Sequence, residues 1–180
     1  MFVPGVVSFL DARGVARTHD WHDWRIVDRA VLTFIVREGR VLLIHKKRGL
    51  GAGKINAPGG RIEPGETPLQ AAVRETQEEV GLTPTGLQER AMLRFAFMDG
   101  YGLECHVFVA DHAEGTPLET DEALPFECAL DEIPFGRMWA DDRVWLPLVL
   151  EGRRLDAWFL FDDDVALWHQ LTLVKDTKIT

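Results

Sequence analysis

One segment of this 180-residue sequence carries complete local signals for both ends of an α-helix. Thr67 is a good N-cap residue, Pro68 suits the first helical position, and Gln70 completes a capping box. Gly81 supplies the C-terminal stop. Between these ends, residues able to pack against a core recur every three or four positions: Leu69, Ala72, Val73, Thr76 and Val80. The sequence therefore predicts a helix over residues 69–80 with one buried face.

Strand signals dominate the chain from residue 30 onward. Two hairpins are predicted, residues 30–36 with 41–45 and residues 92–98 with 103–110. Further strands are predicted at residues 126–129, 157–161 and 171–174. A second helix is predicted over residues 144–150, with Asp141 or Asp142 as its cap and Pro147 as an interruption. This pattern predicts an α+β fold with a mixed sheet and few helices, or an α/β/α sandwich.

Residues 1–29 differ in composition from the remainder and predict an N-terminal arm in front of one domain over residues 30–180. The arm contains Trp21 and Trp24 among several charged residues. It is expected either to pack these rings, by itself or across a dimer, or to form a plain surface strand or hairpin.

The formal net charge is −9, from 20 basic and 29 acidic residues. Such a surface repels polyphosphate backbones, which disfavours binding to a nucleic-acid polymer, including decapping of RNA 5′ ends. A small nucleotide that arrives with a divalent cation remains compatible, because the metal reverses the local sign of charge. We find no targeting segment and no membrane-spanning run, so a cytoplasmic protein is expected. Cys105 and Cys128 are expected to be buried thiols.

Three glutamates, Glu75, Glu78 and Glu79, stand near the end of the first predicted helix at spacings of three and four. This spacing predicts that they share one helix face. Their mutual repulsion and the helix macrodipole both disfavour that arrangement. Bound Mg²⁺ or Mn²⁺ would remove both penalties, whereas the alternative is a solvated acidic face with Arg74 as its counter-charge.

The residues ahead of this helix favour the metal. A glycine-rich segment, residues 51–60, follows the basic run Lys46-Lys47-Arg48 and leads toward the helix. Glycine allows the backbone to approach a ligand closely, and nearby cations attract phosphate oxygens. The combination predicts metal-assisted chemistry on a pyrophosphate.

The same stretch resembles the Nudix box, G-x5-E-x7-R-E-U-x-E-E-x-G-U. The matching residues are Gly60, Glu66, Arg74, Glu75, Glu78, Glu79, Gly81 and Leu82. Thr76 stands where the pattern has a bulky aliphatic residue, so its hydroxyl needs a hydrogen-bond partner. The resemblance implies a Nudix hydrolase, with a mixed sheet, an α/β/α sandwich and a catalytic loop–helix–loop. Enzymes of this family cleave nucleoside diphosphates linked to another group.

This resemblance also implies roles for single residues. By it, Mg²⁺ is held by Glu75, Glu78 and Glu79, with a carbonyl from Gly59 and a further glutamate, Glu122. Glu66 and Arg74 would form a salt bridge that orients the helix, and Lys46 would lie near the substrate.

Residues from about 31 to 175 further resemble members of the family that act on oxidised purine nucleoside triphosphates. The similar stretches are KKRGLGAGKIN (46–56), HVFVAD (106–111), GTPLETDE (115–122), IPFGRMWADD (133–142) and WLPLVL (145–150). By this resemblance the base pocket comprises Asn56, Phe95, Trp139, Asp141 and Asp142. Trp139 would stack on a purine, Asn56 offers a donor and an acceptor, and one of two adjacent buried aspartates would hold a proton. The alternative to this base pocket is that Trp139 belongs to the core, Asn56 only shapes a turn and Asp141 only caps a helix.

The resemblance implies attack at the β-phosphorus, which gives a nucleoside monophosphate and pyrophosphate, with Glu79 or Glu122 as general base. Other substrates remain alternatives, namely an ordinary dNTP, a methylated purine nucleotide or a nucleoside diphosphate derivative. A further alternative is a catalytically silent protein, which binds a nucleotide without hydrolysing it. The chain is expected to be a monomer or a homodimer.

Overall fold

The computed structural model of the chain describes residues 3–175. Its strands are β1 (Val6–Leu10), β2 (Ala16–Asp20), β3 (Asp28–Arg37), β4 (Arg40–Lys46), β5 (Ile55–Asn56), β6 (Thr83–Thr85), β7 (Gln88–Phe97), β8 (Gly102–Ala110), β9 (His112–Glu114), β10 (Ala123–Ala129), β11 (Arg154–Asp162) and β12 (Val165–Val174). Its helices are α1 (Pro68–Val80) and α2 (Asp142–Leu150), with short 3-10 turns at Trp21–Asp23 and Phe135–Arg137.

The main sheet has the strand order β10-β4-β3-β8-β7-β11-β12, with β5 joined to β4. The β3–β8 and β11–β7 pairs are parallel and the other pairs are antiparallel, so the sheet is mixed. Ala71 and Ala72 of α1 pack on one face against Val31, whereas Trp145 and Leu146 of α2 belong to the core on the other face. The predicted α/β/α sandwich is therefore confirmed.

The first predicted hairpin, by contrast, is formed only at its tip. Strands β3 and β4 pair at Val36 with Val41 and then separate. Farther along β3, Val31 N donates to Gly60 O (2.9 Å) and Thr33 N donates to Pro58 O (2.8 Å). The glycine-rich segment thus takes the place that β4 would have occupied, and this displacement fixes the segment beside α1.

The second predicted hairpin is confirmed as β7 and β8, and the strands predicted at residues 126–129 and 157–161 lie inside β10 and β11. The last predicted strand is much longer than residues 171–174 suggested. It begins at Val165 and forms the sheet edge, where six of its ten residues are exposed and none is buried, so its hydrophobic pattern is weak.

Helix α1 confirms its end signals. Thr67 Oγ1 accepts a hydrogen bond from Gln70 N, Gln70 Oε1 accepts one from Thr67 N, and Gly81 adopts a left-handed conformation with φ of 71°. Thr76 is buried, and its hydroxyl donates to Ala72 O at 2.7 Å, which satisfies its need for a partner. The predicted buried face is wrong at one position, because Leu69 in the first turn is exposed.

The capping role predicted for Asp141 or Asp142 is wrong. Helix α2 begins at Asp142 itself, and no side chain caps its amino terminus. Instead, Asp141 Oδ2 accepts from Trp145 Nε1 (2.8 Å), and Asp142 Oδ2 accepts from the backbone N of Trp139 (2.9 Å). Both carboxylates are therefore committed to tryptophan residues rather than to free helical N–H groups.

The N-terminal residues form a hairpin of β1 and β2 followed by the first 3-10 turn. Trp21 is buried and belongs to a cluster with Phe9, Trp158 and Leu160. This cluster covers the β7–β11–β12 part of the sheet on the face that also carries α1. No helix in residues 3–175 is both long and apolar enough to cross a bilayer.

Candidate active site

A cavity of about 460 Å³ lies between the glycine-rich segment, the ends of β7 and β8, and the start of α2. The residues predicted for the site that line it are Lys46, Asn56, Gly59, Glu75, Glu79, Phe95, Glu122, Trp139, Asp141 and Asp142. Arg74 and Glu78 do not line it. The fold thus brings the expected base-pocket residues, and the expected metal residues other than Glu78, to two ends of one cavity.

Glu79 is the most buried carboxylate at the first end, with 1% of its surface exposed. Its Oε1 accepts from Lys46 Nζ and its Oε2 from Gly59 N, each at 2.9 Å. Burial raises the pKa of Glu79, and the Lys46 ammonium opposes that shift. Residue 59 must be glycine, because a Cβ there would stand 2.1 Å from Val31 O.

Glu75 is the second carboxylate that faces the cavity, and it lies against Gly60, where a Cβ would meet its Cδ at 2.4 Å. Burial raises the pKa of Glu75; the charges of Glu79 and Glu78 add to the effect, and Arg74 opposes it. Two glutamates beside one cavity therefore lack full compensation of their charge.

Arg74 organises the outer side of this group. Its Nε and Nη2 donate to the two carboxylate oxygens of Glu66 at 2.9 and 2.8 Å, which forms the ion pair that the family resemblance implies. Its Nη1 lies 2.8 Å from Glu75 and 3.0 Å from Glu78. The side chain of Glu78 is 60% exposed and lies outside the cavity, so the shared face predicted for three glutamates holds in full only for Glu75 and Glu79.

The donor set suits a hard divalent cation. Carboxylate and carbonyl oxygens from Glu75, Glu79, Glu122 and Gly59 border the cavity, and oxygen ligands are those that Mg²⁺ and Mn²⁺ prefer. Burial raises the pKa of both Glu75 and Glu79, so a bound cation would favour their ionised forms. Within residues 3–175, no three acidic, histidine or cysteine side chains already converge as a metal cluster. Binding would therefore require rearrangement of the Lys46 and Arg74 contacts.

Asp141 and Asp142 form the other end of the cavity, each 3% exposed. Burial raises the pKa of Asp141 to about 6. Burial and the charge of Asp141 together raise the pKa of Asp142 well above its ordinary value. Two adjacent carboxyls in a buried site cannot both ionise easily, so each raises the pKa at which the other would lose its proton.

Aromatic rings form the walls between these ends. Trp139 meets Phe161 edge-to-face at 5.9 Å, and the Lys54 ammonium lies 4.8 Å from the centre of its ring. The loop before β5 touches the same ring, since a Cβ at Gly51 would stand 2.9 Å from Trp139 Nε1. Asn56 Oδ1 accepts from Ala57 N, which leaves its amide NH₂ group as a donor at the cavity wall.

Several residues that line this cavity are absent from the predicted site: Leu50, Phe97, Tyr101, Cys105, Trp145 and Phe161. Strand alternation could have found Phe97, because it lies two residues after Phe95 and therefore faces the same side. Cys105 is buried as predicted, and burial raises the pKa of its thiol, but it also lines the cavity. No local pattern could have indicated Phe161, which arrives from a strand far along the chain.

Comparison with known proteins identifies relatives of this arrangement. A NUDIX domain model matches residues 26–149. The chain is 46% identical over 147 residues to oxidized purine nucleoside triphosphate hydrolase of the zebrafish Danio rerio, which covers 81% of this chain and 94% of that protein. It is 41% identical to the corresponding mouse protein (Mus musculus), over 78% of this chain and 91% of that protein.

A solved structure also supports the match to the NUDIX family. The crystal structure of a MutT protein from Bacillus halodurans superposes with a TM-score of 0.74 at 28% identity, over 81% of this chain and 97% of that one. The sequence match, the fold and the position of the glutamate helix beside the cavity agree: this chain belongs to the Nudix family.

Proposed function

We propose that this protein hydrolyses oxidised purine nucleoside triphosphates, such as 8-oxo-dGTP or 2-hydroxy-dATP, to the monophosphate and pyrophosphate, and so cleanses the nucleotide pool. One observation carries the proposal: a single cavity joins a buried aspartate pair at one end to the buried Glu79 and the partly buried Glu75 at the other. The zebrafish and mouse relatives are both oxidized purine nucleoside triphosphate hydrolases, and each is matched over most of its length.

The aspartate end is suited to reading the edge of an oxidised purine. A protonated carboxyl donates a hydrogen bond and its ionised neighbour accepts one, so the Asp141–Asp142 pair offers both patterns side by side. Asn56 adds a donor, while Trp139 and Phe95 offer flat faces to the ring system. Because the proton can reside on either aspartate, the pair could serve more than one oxidised base.

The glutamate end is suited to the triphosphate. Nudix hydrolases generally use divalent metal ions, and here we propose Mg²⁺, with Mn²⁺ as a substitute. Glu75, Glu78, Glu79, Glu122 and the Gly59 carbonyl would hold it; of these, Glu78 would have to turn inward. When bound, the ion would neutralise phosphate charge and polarise the reacting phosphorus.

The remaining steps belong to the chain itself. Lys46 lines the cavity beside Glu79, where its ammonium can meet a phosphate oxygen. Either Glu79 or Glu122 accepts the proton of the attacking water as general base, and attack is at the β-phosphorus. Arg74 acts on the reaction only through Glu75 and Glu78, whose carboxylates it holds.

We further propose a cytoplasmic enzyme, monomeric or homodimeric, that acts on free nucleotides rather than on nucleic-acid polymers or membranes. The net charge of −9 supports the choice of a small substrate, because it repels long polyanions. The proposed division is an arm over residues 1–29 and a Nudix hydrolase domain over residues 30–180.

A substrate panel tests the proposal. Rates of hydrolysis are measured on 8-oxo-dGTP, 2-hydroxy-dATP, dGTP and ADP-ribose, with Mg²⁺ present and with it chelated, and the products are separated by chromatography. We expect the highest kcat/KM for an oxidised purine nucleotide, with release of pyrophosphate that requires the metal. A preference for dGTP or ADP-ribose would contradict the proposed base specificity, and binding without any turnover would favour a silent nucleotide-binding protein.

A further inference from the structure

Residues 24–27 of the arm, the linker between its 3-10 turn and β3, cross the β7–β8 hairpin, whose residues form one wall of the cavity. Trp24 Nε1 donates to the carbonyl of Phe95 at 2.9 Å. Val27 N donates to Gly102 O at 2.8 Å, and the Tyr101 hydroxyl donates to Asp28 Oδ2 at 2.9 Å. The linker is thus bonded to both strands of this hairpin, and the first residue of β3 is bonded to the turn between them.

Gly102 makes the crossing possible. A Cβ at this position would stand 2.0 Å from Arg25 O and 3.1 Å from Trp24 Nε1. The linker therefore passes directly over β8, and the Trp24 side chain reaches beyond that strand to the backbone of β7. Any side chain at residue 102 would lift the linker away from Phe95.

The Trp24 ring packs against side chains on the outer face of the sheet. Trp24 and Trp21 meet Trp158 edge-to-face, with ring centres 5.4 and 5.1 Å apart. The guanidinium of Arg94 lies 4.7 Å from the Trp158 ring and donates to Asp156 at 2.7 Å. Trp21, Arg94 and Trp158 are each at most 2% exposed, so the residues against which Trp24 packs have little freedom to move.

Strand alternation connects this layer to the cavity. Arg94 and Phe95 are neighbours on β7, and Trp158 and Phe159 are neighbours on β11. Because successive side chains point to opposite faces, Phe95 and Phe159 stack on the inner face at 5.4 Å while Arg94 and Trp158 meet the arm on the outer face. Contacts of the arm with the outer face of β7 and β11 therefore restrict the same strands that carry Phe95 and Phe159 on the inner face.

We propose that Trp24 is a positioning residue for the base end of the cavity, through its hydrogen bond to Phe95. The NUDIX match begins only at residue 26, so Trp24 lies outside the part of the chain that the family model covers. The inference rests on the proposed function for its ligand, a purine nucleotide. It assigns the arm to substrate binding rather than to the chemical step, since the glutamates stand on α1.

The test substitutes Trp24 with Phe, which keeps an aromatic ring against Trp158 and removes the N–H donor. Trp168→Phe is the matched control, because Trp168 packs on Trp21 at 5.7 Å in the same aromatic layer and lies on the edge strand β12. Loss of one hydrogen bond is expected to raise KM about fivefold in Trp24→Phe, with kcat within about twofold of the parent. Both constants should stay within about twofold in the control.

The substrate used is whichever nucleotide of the panel the parent hydrolyses best, so an error in the proposed base preference leaves this test intact. Hydrogen exchange of the Phe95, Phe97 and Tyr101 amides gives a second readout, and it should accelerate in Trp24→Phe alone. An unchanged KM, an equal rise in both variants, or a fall in kcat at constant KM would overturn the proposal. If Trp24→Phe lowers overall stability, Gly102→Ala must still raise KM selectively, and its failure to do so would also overturn it.

Discussion

Glu79 combines almost complete burial with a pair of charge-assisted hydrogen bonds, to Lys46 and to Gly59 N. Glu79→Gln keeps the shape of the side chain and removes its negative charge. We expect kcat to fall by at least about 100-fold, because the substitution weakens both metal binding and proton transfer. Glu151→Gln is a suitable control, since Glu151 is exposed at the end of α2. Parental turnover in Glu79→Gln would exclude Glu79 from the catalytic machinery.

The aspartate pair makes a prediction about stability and pH. Burial raises the pKa of both carboxyls, so the folded state binds more protons than the unfolded chain above about pH 4. The free energy of unfolding should therefore decline as pH rises through the range in which Asp141 loses its proton, near pH 6. Asp142→Asn removes one buried charge and should flatten this decline.

Urea unfolding at pH 5, 6, 7 and 8 measures this effect. We expect the free energy of unfolding of Asp142→Asn, minus that of the parent, to increase by at least about 1 kcal/mol between pH 5 and pH 8. Asp163→Asn serves as the control, because Asp163 is exposed in the β11–β12 turn with φ of 52°, which asparagine tolerates. A difference that does not vary with pH would show that the pair holds no extra proton.

At the scale of elements, α1 is predicted almost residue by residue because its signals are local. A cap, a proline and a terminal glycine each act through bonds within one turn. The separation of β3 from β4 was not predictable in this way, since it depends on Pro58 and Gly60 competing for the backbone of β3. The helix-capping role predicted for Asp141 or Asp142 is wrong for a related reason: a local capping rule cannot anticipate the hydrogen-bond donors that Trp139 and Trp145 supply.

The end of α1 offers a quantitative test of such a signal. Gly81 has φ of 71°, and a Cβ there would stand 3.2 Å from Leu118 Cδ1. Gly14 has nearly the same φ, 76°, with nothing within 4 Å of an added Cβ. Each substitution to Ala should lower the free energy of unfolding by about 1 kcal/mol through backbone strain. Gly81→Ala should lower the free energy of unfolding measurably more than Gly14→Ala, because of the added contact with Leu118. Equal losses in urea unfolding would show that the Leu118 side chain moves aside without cost.

For the whole molecule, the sequence located the two ends of the cavity but not the frame that holds them together. Glu75 and Glu79 were found from helix spacing, and Asp141 and Asp142 from family resemblance. The walls depend on Phe97 and Phe161, which meet only because β7 and β11 are parallel neighbours. Composition alone predicts the arm, whereas the contact of Trp24 with Phe95 across Gly102 is a product of tertiary packing.

The proposed metal site spans parts of the chain that are distant in sequence: Gly59 before α1, Glu75 and Glu79 on α1, and Glu122 beside β10. An ion that binds only the folded arrangement stabilises the whole molecule by mass action, by about 2.7 kcal/mol at a hundred times its Kd. Mg²⁺ at saturating concentration should therefore raise Tm by roughly 5–10 °C. Asp163→Asn, at a residue that does not line this cavity, should keep this shift and Glu79→Gln should lose most of it, as followed by thermal unfolding with the ion added and then chelated. A shift of equal size in Glu79→Gln would place the ion elsewhere on the protein, and the glutamates would then need Lys46 and Arg74 as their permanent counter-charges.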